Sequence, residues 1–367
     1  MTAVAGATHP ADVRRLWDGP IVDADIHVNA SLAGIRPYLA EHWQELMRER
    51  GFGNMGEPLG LNRVYPPRAR STAMARWVPD DGRPVASDLE LLRSQILDPL
   101  RVDHAILNCY FAVDSIRHPD FAAGFASAIN DWLIAEWLEH DDRLRASLVV
   151  PARSPEAAAR EIDRVGHHSG FVQVLLPVRC DRLYGNRQWH PMLDAIVRND
   201  LVFGLHFGGT SDGAPTSTGV PNHYITEAAG EPALYWAQIT SLIAEGAFSQ
   251  FPDLRVSVLE GGFTWLPTVA WRILKEWRGL RRDIPWVNEP PSDLIRKHMR
   301  FSTAPLDAAS GEQVESTLRW LQTDDLLMFA TDYPHWHDDD VAMLLSAGGD
   351  STRAKIMSET ARGWYRL

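Results

Sequence analysis

The sequence predicts an α/β protein, a (β/α)8 TIM barrel with a lid-like insertion after its first strand, and three observations carry the prediction. Eight short apolar runs alternate with helix-period segments along the 367 residues. Runs that are apolar on both parities mark parallel strands covered by helices. Several of the runs end in an ionisable side chain, and the C-terminal strand ends are where such a barrel carries its chemistry. No glycine-rich loop follows the first run, which sets aside a doubly wound dinucleotide-binding sheet. Residues 1–367 are read as one domain, with 29–84 as the lid or insertion.

The first strand spans 21–27, Ile-Val-Asp-Ala-Asp-Ile-His. Side chains alternate in an extended strand, so Asp23, Asp25 and His27 are expected on one face, the last two nearest its C-terminal end. The insertion holds a helical piece at 38–50, then Gly- and Pro-rich sequence with Arg63, Arg68, Arg70, Arg76 and Arg83. A helix over 87–97 follows, with Ser87 as N-cap and Glu90 three residues on, the capping-box pattern. Strands at 104–108, 144–150, 171–176 and 201–206 alternate with helices at 121–140, 155–165 and 188–199. A long polar loop, 207–232, leads into a helix at 233–245. Strands at 255–260, 300–303 and 326–332 complete the set, with helices at 268–282, 311–321 and 351–364 between and after them.

Composition narrows the function. A net charge of -12 argues against a nucleic-acid or anionic-membrane surface and leaves small molecules as the expected partners. No stretch approaches the ~20 apolar residues that span a bilayer, and 1–10 lacks a signal-peptide pattern. A cytoplasmic protein is expected. Cys109 and Cys180 make no zinc-type spacing and are read as free thiols. Oligomeric state is open, a homodimer being admitted.

The strand ends are unevenly loaded. The first ends in Asp25 and His27, the fifth in His206, the sixth in Glu260 and the eighth in Asp332. Gly204 lies two residues before His206 on the same face and leaves room inside the barrel. Glu260 sits directly before Gly261-Gly262, so its strand would carry a charge into the barrel mouth, where unpaired burial is costly.

Four motifs in order, Asp23-Ala24-Asp25-Ile26-His27, Gly204-Leu205-His206-Phe207-Gly208-Gly209, Phe251-Pro252-Asp253-Leu254 leading to Leu259-Glu260-Gly261-Gly262, and Ala330-Thr331-Asp332-Tyr333-Pro334-His335, together resemble the amidohydrolase superfamily. More narrowly they resemble its amidohydrolase-related branch, which contains aminocarboxymuconate semialdehyde decarboxylases and hydroxybenzoate-type decarboxylases. The resemblance covers essentially the whole chain. It implies one divalent metal ion held by Asp25, His27, His206 and Asp332. Two departures stand out. Asp25 occupies a position where the family more often has His or Glu, so it is either a ligand or an acid behind the ligands. Glu260 stands where the characterised decarboxylases carry a histidine.

With that imidazole absent, a carboxylate beside a metal ion suits activation of water, and the expected function is a metal-dependent hydrolase of a small, cyclic or aromatic substrate. Glu260 would orient or deprotonate the water, with Asp332 as its catalytic partner. The alternative is a non-oxidative decarboxylase on the same site, and a third reading is a barrel that binds a small molecule without turnover. Mixed N/O ligation points to zinc first, with manganese or iron as alternatives. Arg179, His223, Tyr224 and His335 are the expected substrate contacts. Arg153 is a further cation for a substrate carboxylate, His337 a further imidazole beyond Asp332, and Cys109 is read as buried and inert.

Overall fold

The computed structural model describes residues 10–29, 31–50, 73–111, 113–209, 219, 221–335 and 339–367. Eight strands run in chain order: β1 Val22–Ile26, β2 His104–Leu107, β3 Leu144–Val149, β4 Phe171–Pro177, β5 Val202–His206, β6 Val256–Leu259, β7 Met299–Ser302 and β8 Leu327–Met328. Every neighbouring pair is parallel. Three backbone bonds close the sheet on itself: Ala24 N–H to Phe329 O at 2.9 Å, Asp332 N–H to Asp25 O at 3.0 Å and His27 N–H to Tyr333 O at 2.6 Å. The molecule is therefore the (β/α)8 barrel that the alternation predicts.

The helices cover the barrel with one apolar face each. Pro155–Val165 shows the logic: Pro155 opens it after Ser154, Ala157, Ala158, Ile162 and Val165 face inward, and Gly166 caps it. The structure corrects several expected boundaries. The helix expected over 87–97 is capped by Asp88, whose Oδ1 accepts from Leu91 N–H at 3.0 Å, and not by Ser87; its last turn, Arg93–Leu97, widens to π geometry. The strand expected over 326–332 keeps only Leu327–Met328, because the following residues turn their hydrogen bonds to β1 and to Ile356 O. Pro291–His298 is a helix that the sequence reading left out. The insertion holds the helices Leu32–Ile35 and Glu41–Arg50, and its end returns to the barrel mouth, where Met74 N–H donates to Pro334 O at 3.0 Å. Arg63, Arg68 and Arg70 lie outside the described residues.

Strand β1 also departs from simple alternation. Its register against β2 shifts between Asp23 and Ile26, the mark of a bulge, and a bulge puts consecutive side chains out of phase. Asp23 therefore does not share the site of Asp25 and His27. Its carboxylate is turned to Thr331, accepting from the backbone N–H at 3.0 Å and from Oγ1 at 2.7 Å, and it also accepts from Asp25 N–H at 3.2 Å. Burial, partly offset by these bonds, pushes its pKa up to about 7.

Two apolar clusters make the core. The larger lies between strands and helices. The smaller joins Val22, Ala24, Ile106, Val202, Leu259 and Met328 of the strands to Ala361, Trp364 and Tyr365, so the C-terminal helix Thr360–Tyr365 plugs the base of the barrel. Replacing Trp364 by Ala should empty that plug and lower the unfolding free energy by about 3–5 kcal/mol in chemical denaturation, the range for deleting a buried aromatic side chain.

Candidate active site

At the C-terminal ends of β1, β5 and β8, four donor side chains converge: Asp25, His27, His206 and Asp332. His27 Nε2 lies 2.9 Å from Asp332 Oδ1, 3.3 Å from Asp25 Oδ1 and 3.2 Å from His206 Nε2, and His206 Nε2 lies 3.2 Å from Asp25 Oδ2. Ligands held 2.0–2.2 Å from one ion at angles of 90–110° are spaced by about 2.8–3.6 Å, so these four donor pairs have the spacing of a coordination shell.

Their chemistry fits as well. His206 Nδ1 is 2.8 Å from Phe207 O, which places the ring proton on Nδ1 and leaves the Nε2 lone pair facing the group. Two imidazole Nε2 atoms facing each other at 3.2 Å need a proton or a cation between them. Asp25 Oδ2 is buried and accepts no hydrogen bond, although its sister Oδ1 accepts from Asn108 Nδ2 at 2.8 Å. An orphaned carboxylate oxygen beside two imidazoles is a place for a divalent ion. The field points the same way: burial opposes charge on each group, but the carboxylates hold His27 well above and His206 above the ordinary imidazole range. For Asp25, burial is outweighed by the charge of His206 and the contacts with His27, which keep it below the usual carboxylate range.

Both remaining strand-end acids sit in strained backbone. Glu260 and Asp332 have φ of 50° and 51°, in the left-handed region that side-chain-bearing residues rarely adopt. Each is held there through its amide, Glu260 N–H donating to Ser302 Oγ and Asp332 N–H to Asp25 O, both at 3.0 Å. The reversal aims both carboxylates at the mouth. Gly262 must follow Glu260 closely, since its φ is 63° and a Cβ there would lie 1.8 Å from Asp307 Oδ2.

Glu260, Asp332 and His335 form a second convergent group that shares Asp332 with the first. His335 Nδ1 lies 3.1 and 3.2 Å from the two Asp332 oxygens, and its ring is 4.3 Å from that of His27. Glu260 Oε2 lies 3.5 Å from His206 Nδ1. The side chains of His335 and Glu260 are 26% and 12% exposed, against 0% for Asp332, so these two link the buried group to solvent.

The other expected residues are placed differently. Arg179, an expected substrate contact, is buried and held by the protein itself, with Nη2 2.9 Å from Glu227 and its guanidinium 4.8 Å from the ring of Phe207, the neighbour of His206. Arg153 pairs with Asp181 and donates to Asp114 O. His223 is exposed at the start of the helix Tyr224–Gly230 and is not in the donor group. Tyr224 opens that helix, and its side chain, like Trp336 and His337, lies outside the described residues. Cys109 is buried, exchanges hydrogen bonds with the backbone of Val28 and contacts His27. The sequence reading did not single out Asn108, Tyr110 or Glu227. Asn108 carried a legible signal, since it ends an apolar run as His206 does. Tyr110, whose hydroxyl donates to Phe207 O at 3.0 Å, did not.

A family profile described as Amidohydrolase matches residues 22–367. Gamma-resorcylate decarboxylase of Rhizobium sp. strain MTP-10005 is 25% identical over 308 residues, covering 76% of this chain and 88% of that protein. Among solved structures, the 5-carboxyvanillate decarboxylase of Novosphingobium aromaticivorans, complexed with manganese and 4-hydroxy-3-methoxy-5-nitrobenzoic acid, superposes with a TM-score of 0.71 at 19% identity over 100% of both chains. A dihydroxybenzoic acid decarboxylase of Polaromonas sp. JS666, with manganese and 2-nitroresorcinol, gives 0.66 at 19% identity, covering 95% of this chain and 97% of that one.

If the four donors form one site, purified protein should carry close to one divalent ion per chain by elemental analysis. His206→Ala should lose most of it, and His223→Ala should keep it.

Proposed function

The chain belongs to the amidohydrolase family, and from that premise we propose that it is a divalent-metal-dependent carboxy-lyase removing carbon dioxide from a hydroxylated aromatic acid. The expected hydrolase gives way here to its alternative. The observation that carries the choice is the match over three quarters of the chain to decarboxylases, together with an intact four-donor group in this structure.

In this reading Asp25, His27, His206 and Asp332 hold the metal ion. The ion, when bound, supplies positive charge that orients the carboxylate and a neighbouring hydroxyl of the substrate. Two imidazoles and two carboxylates suit manganese and zinc alike, and the solved relatives with manganese move the expectation from zinc toward manganese.

The net reaction takes one proton to the ring carbon and releases carbon dioxide, the electron pair of the broken C–C bond staying with the ring. The chain must therefore hold a proton close to that carbon. In this reading Asp332 would present it, and His335, with Nδ1 3.1 and 3.2 Å from the two Asp332 oxygens and partly exposed, would renew it from solvent. Glu260 takes the place of the histidine of the characterised relatives, braces His206 at Nδ1 and lies within reach of His335. In the same reading Arg179, fixed by Glu227 over Phe207, is a residue next to His206 that would face the substrate.

Metal-reconstituted protein should release carbon dioxide from hydroxybenzoates carrying a hydroxyl next to the carboxylate and leave unhydroxylated benzoate intact. Hydrolysis of esters, lactones or amides with no carbon dioxide release would overturn the proposal. Glu260→Gln should retain its metal by elemental analysis while kcat falls by about 10²-fold or more, the scale of losing a proton-handling group.

A further inference from the structure

We propose that Asn108, with the polar chain behind it, is a positioning element that sets how tightly the four-donor group binds its metal ion, and that Tyr365 at the far end of the barrel belongs to it. The proposal rests on the reading of Asp25, His27, His206 and Asp332 as ligands.

Four polar side chains, Asn108, Ser147, Gln173 and Ser257, link Asp25 to Trp364 and Tyr365 of the C-terminal helix, and the groups at the two ends dictate the direction of every bond. The Trp364 indole can only donate, so Ser257 Oγ accepts from its Nε1 at 3.1 Å; the one hydrogen of the Tyr365 hydroxyl goes to Gln173, so it is Ser257 that donates across the 3.0 Å contact with Tyr365 Oη. The Tyr365 hydroxyl then donates to Gln173 Oε1 at 3.0 Å. Gln173 Nε2 donates to Ser147 Oγ at 2.8 Å and to Asn108 Oδ1 at 3.1 Å, and the Ser147 hydroxyl donates to the same Asn108 oxygen. Asn108 Nδ2 is left with two acceptors, Ala24 O at 3.0 Å and Asp25 Oδ1 at 2.8 Å. Each dipole presents its positive end toward Asp25.

All of these side chains are buried, so the chain acts at low dielectric, where aligned hydrogen bonds polarise one another. Its last bond pins Asp25 Oδ1 and leaves Oδ2, the oxygen with no hydrogen bond, facing His206. A carboxylate fixed in this way loses no rotational freedom on meeting a cation. The strand that carries His206 is notched for the chain: a Cβ on Gly204 would lie 2.4 Å from Gln173 Cδ. Apolar side chains alone can fill the interior of such a barrel. A satisfied polar chain ending on one carboxylate instead gives that carboxylate an orientation.

The test is competition between protein and a chelator for Mn²⁺ and for Zn²⁺, with thermal unfolding of the metal-free proteins recorded alongside. Asn108→Ala should bind metal about 10–100-fold more weakly, the scale for losing a partner of a ligand. Tyr365→Phe keeps the ring and removes only the hydroxyl, three hydrogen bonds from Asp25, and should weaken binding by about 2–5-fold, the reach of a polarised chain. It also serves where Asn108→Ala does not fold. A purely structural role would lower the melting temperature and leave the affinity of the folded protein unchanged, which would overturn the proposal. Wild-type protein that takes up no metal would instead overturn the reading of the ligands themselves.

Discussion

The barrel mouth is organised by the way one buried carboxylate is held. Asp25 has no solvent to stabilise its charge, so the protein surrounds it with donors and imidazoles: Asn108 on one oxygen, His27 and His206 within 3.3 Å. Removing its partners would leave an uncompensated charge in the core. The same carboxylate residue ties the barrel shut, because its backbone carbonyl receives the amide of Asp332. Barrel closure and donor convergence are thus one event. Strands β1 and β8 meet where Asp25, His27 and Asp332 come together.

Around this centre the chain accepts local strain in return for aim. Glu260 and Asp332 both leave their strands through left-handed backbone, a conformation that costs of order 1–3 kcal/mol and persists only where the surroundings impose it. The imposing contacts are the bonds to Ser302 and to the Asp25 carbonyl. Asp23 takes a third role. The bulge in β1 turns it from the donor group to Thr331, where it fixes the loop that delivers Asp332. Three acids within ten positions of a strand end therefore do three jobs, decided by which way each backbone turns.

Much of this was legible beforehand. Eight apolar runs gave the fold class and nearly all strand positions, and the ionisable residues at the run ends included the four converging donors, which the family resemblance set apart from Glu260. Two of the readings that failed share a cause. Asp23 left the shared face and the eighth strand shrank to two residues because neighbours distant in sequence took their side-chain or backbone groups, whereas Ser87 lost the cap to its own neighbour Asp88. Arg179, expected to contact substrate, lies buried against Glu227, a residue 48 positions later.

What the sequence determined by itself is periodicity and chemical type: where strands and helices lie, and which groups at the strand ends could ligate a metal ion or move a proton. Tertiary structure decided the pairing of those groups. Whether Asp25 is a donor, whether Glu260 faces His206, and whether Asn108 connects the site to Tyr365 all depend on barrel closure, strand register and one bulge. Such features are settled by hydrogen bonds between residues tens to hundreds of positions apart, and local propensity carries no record of them.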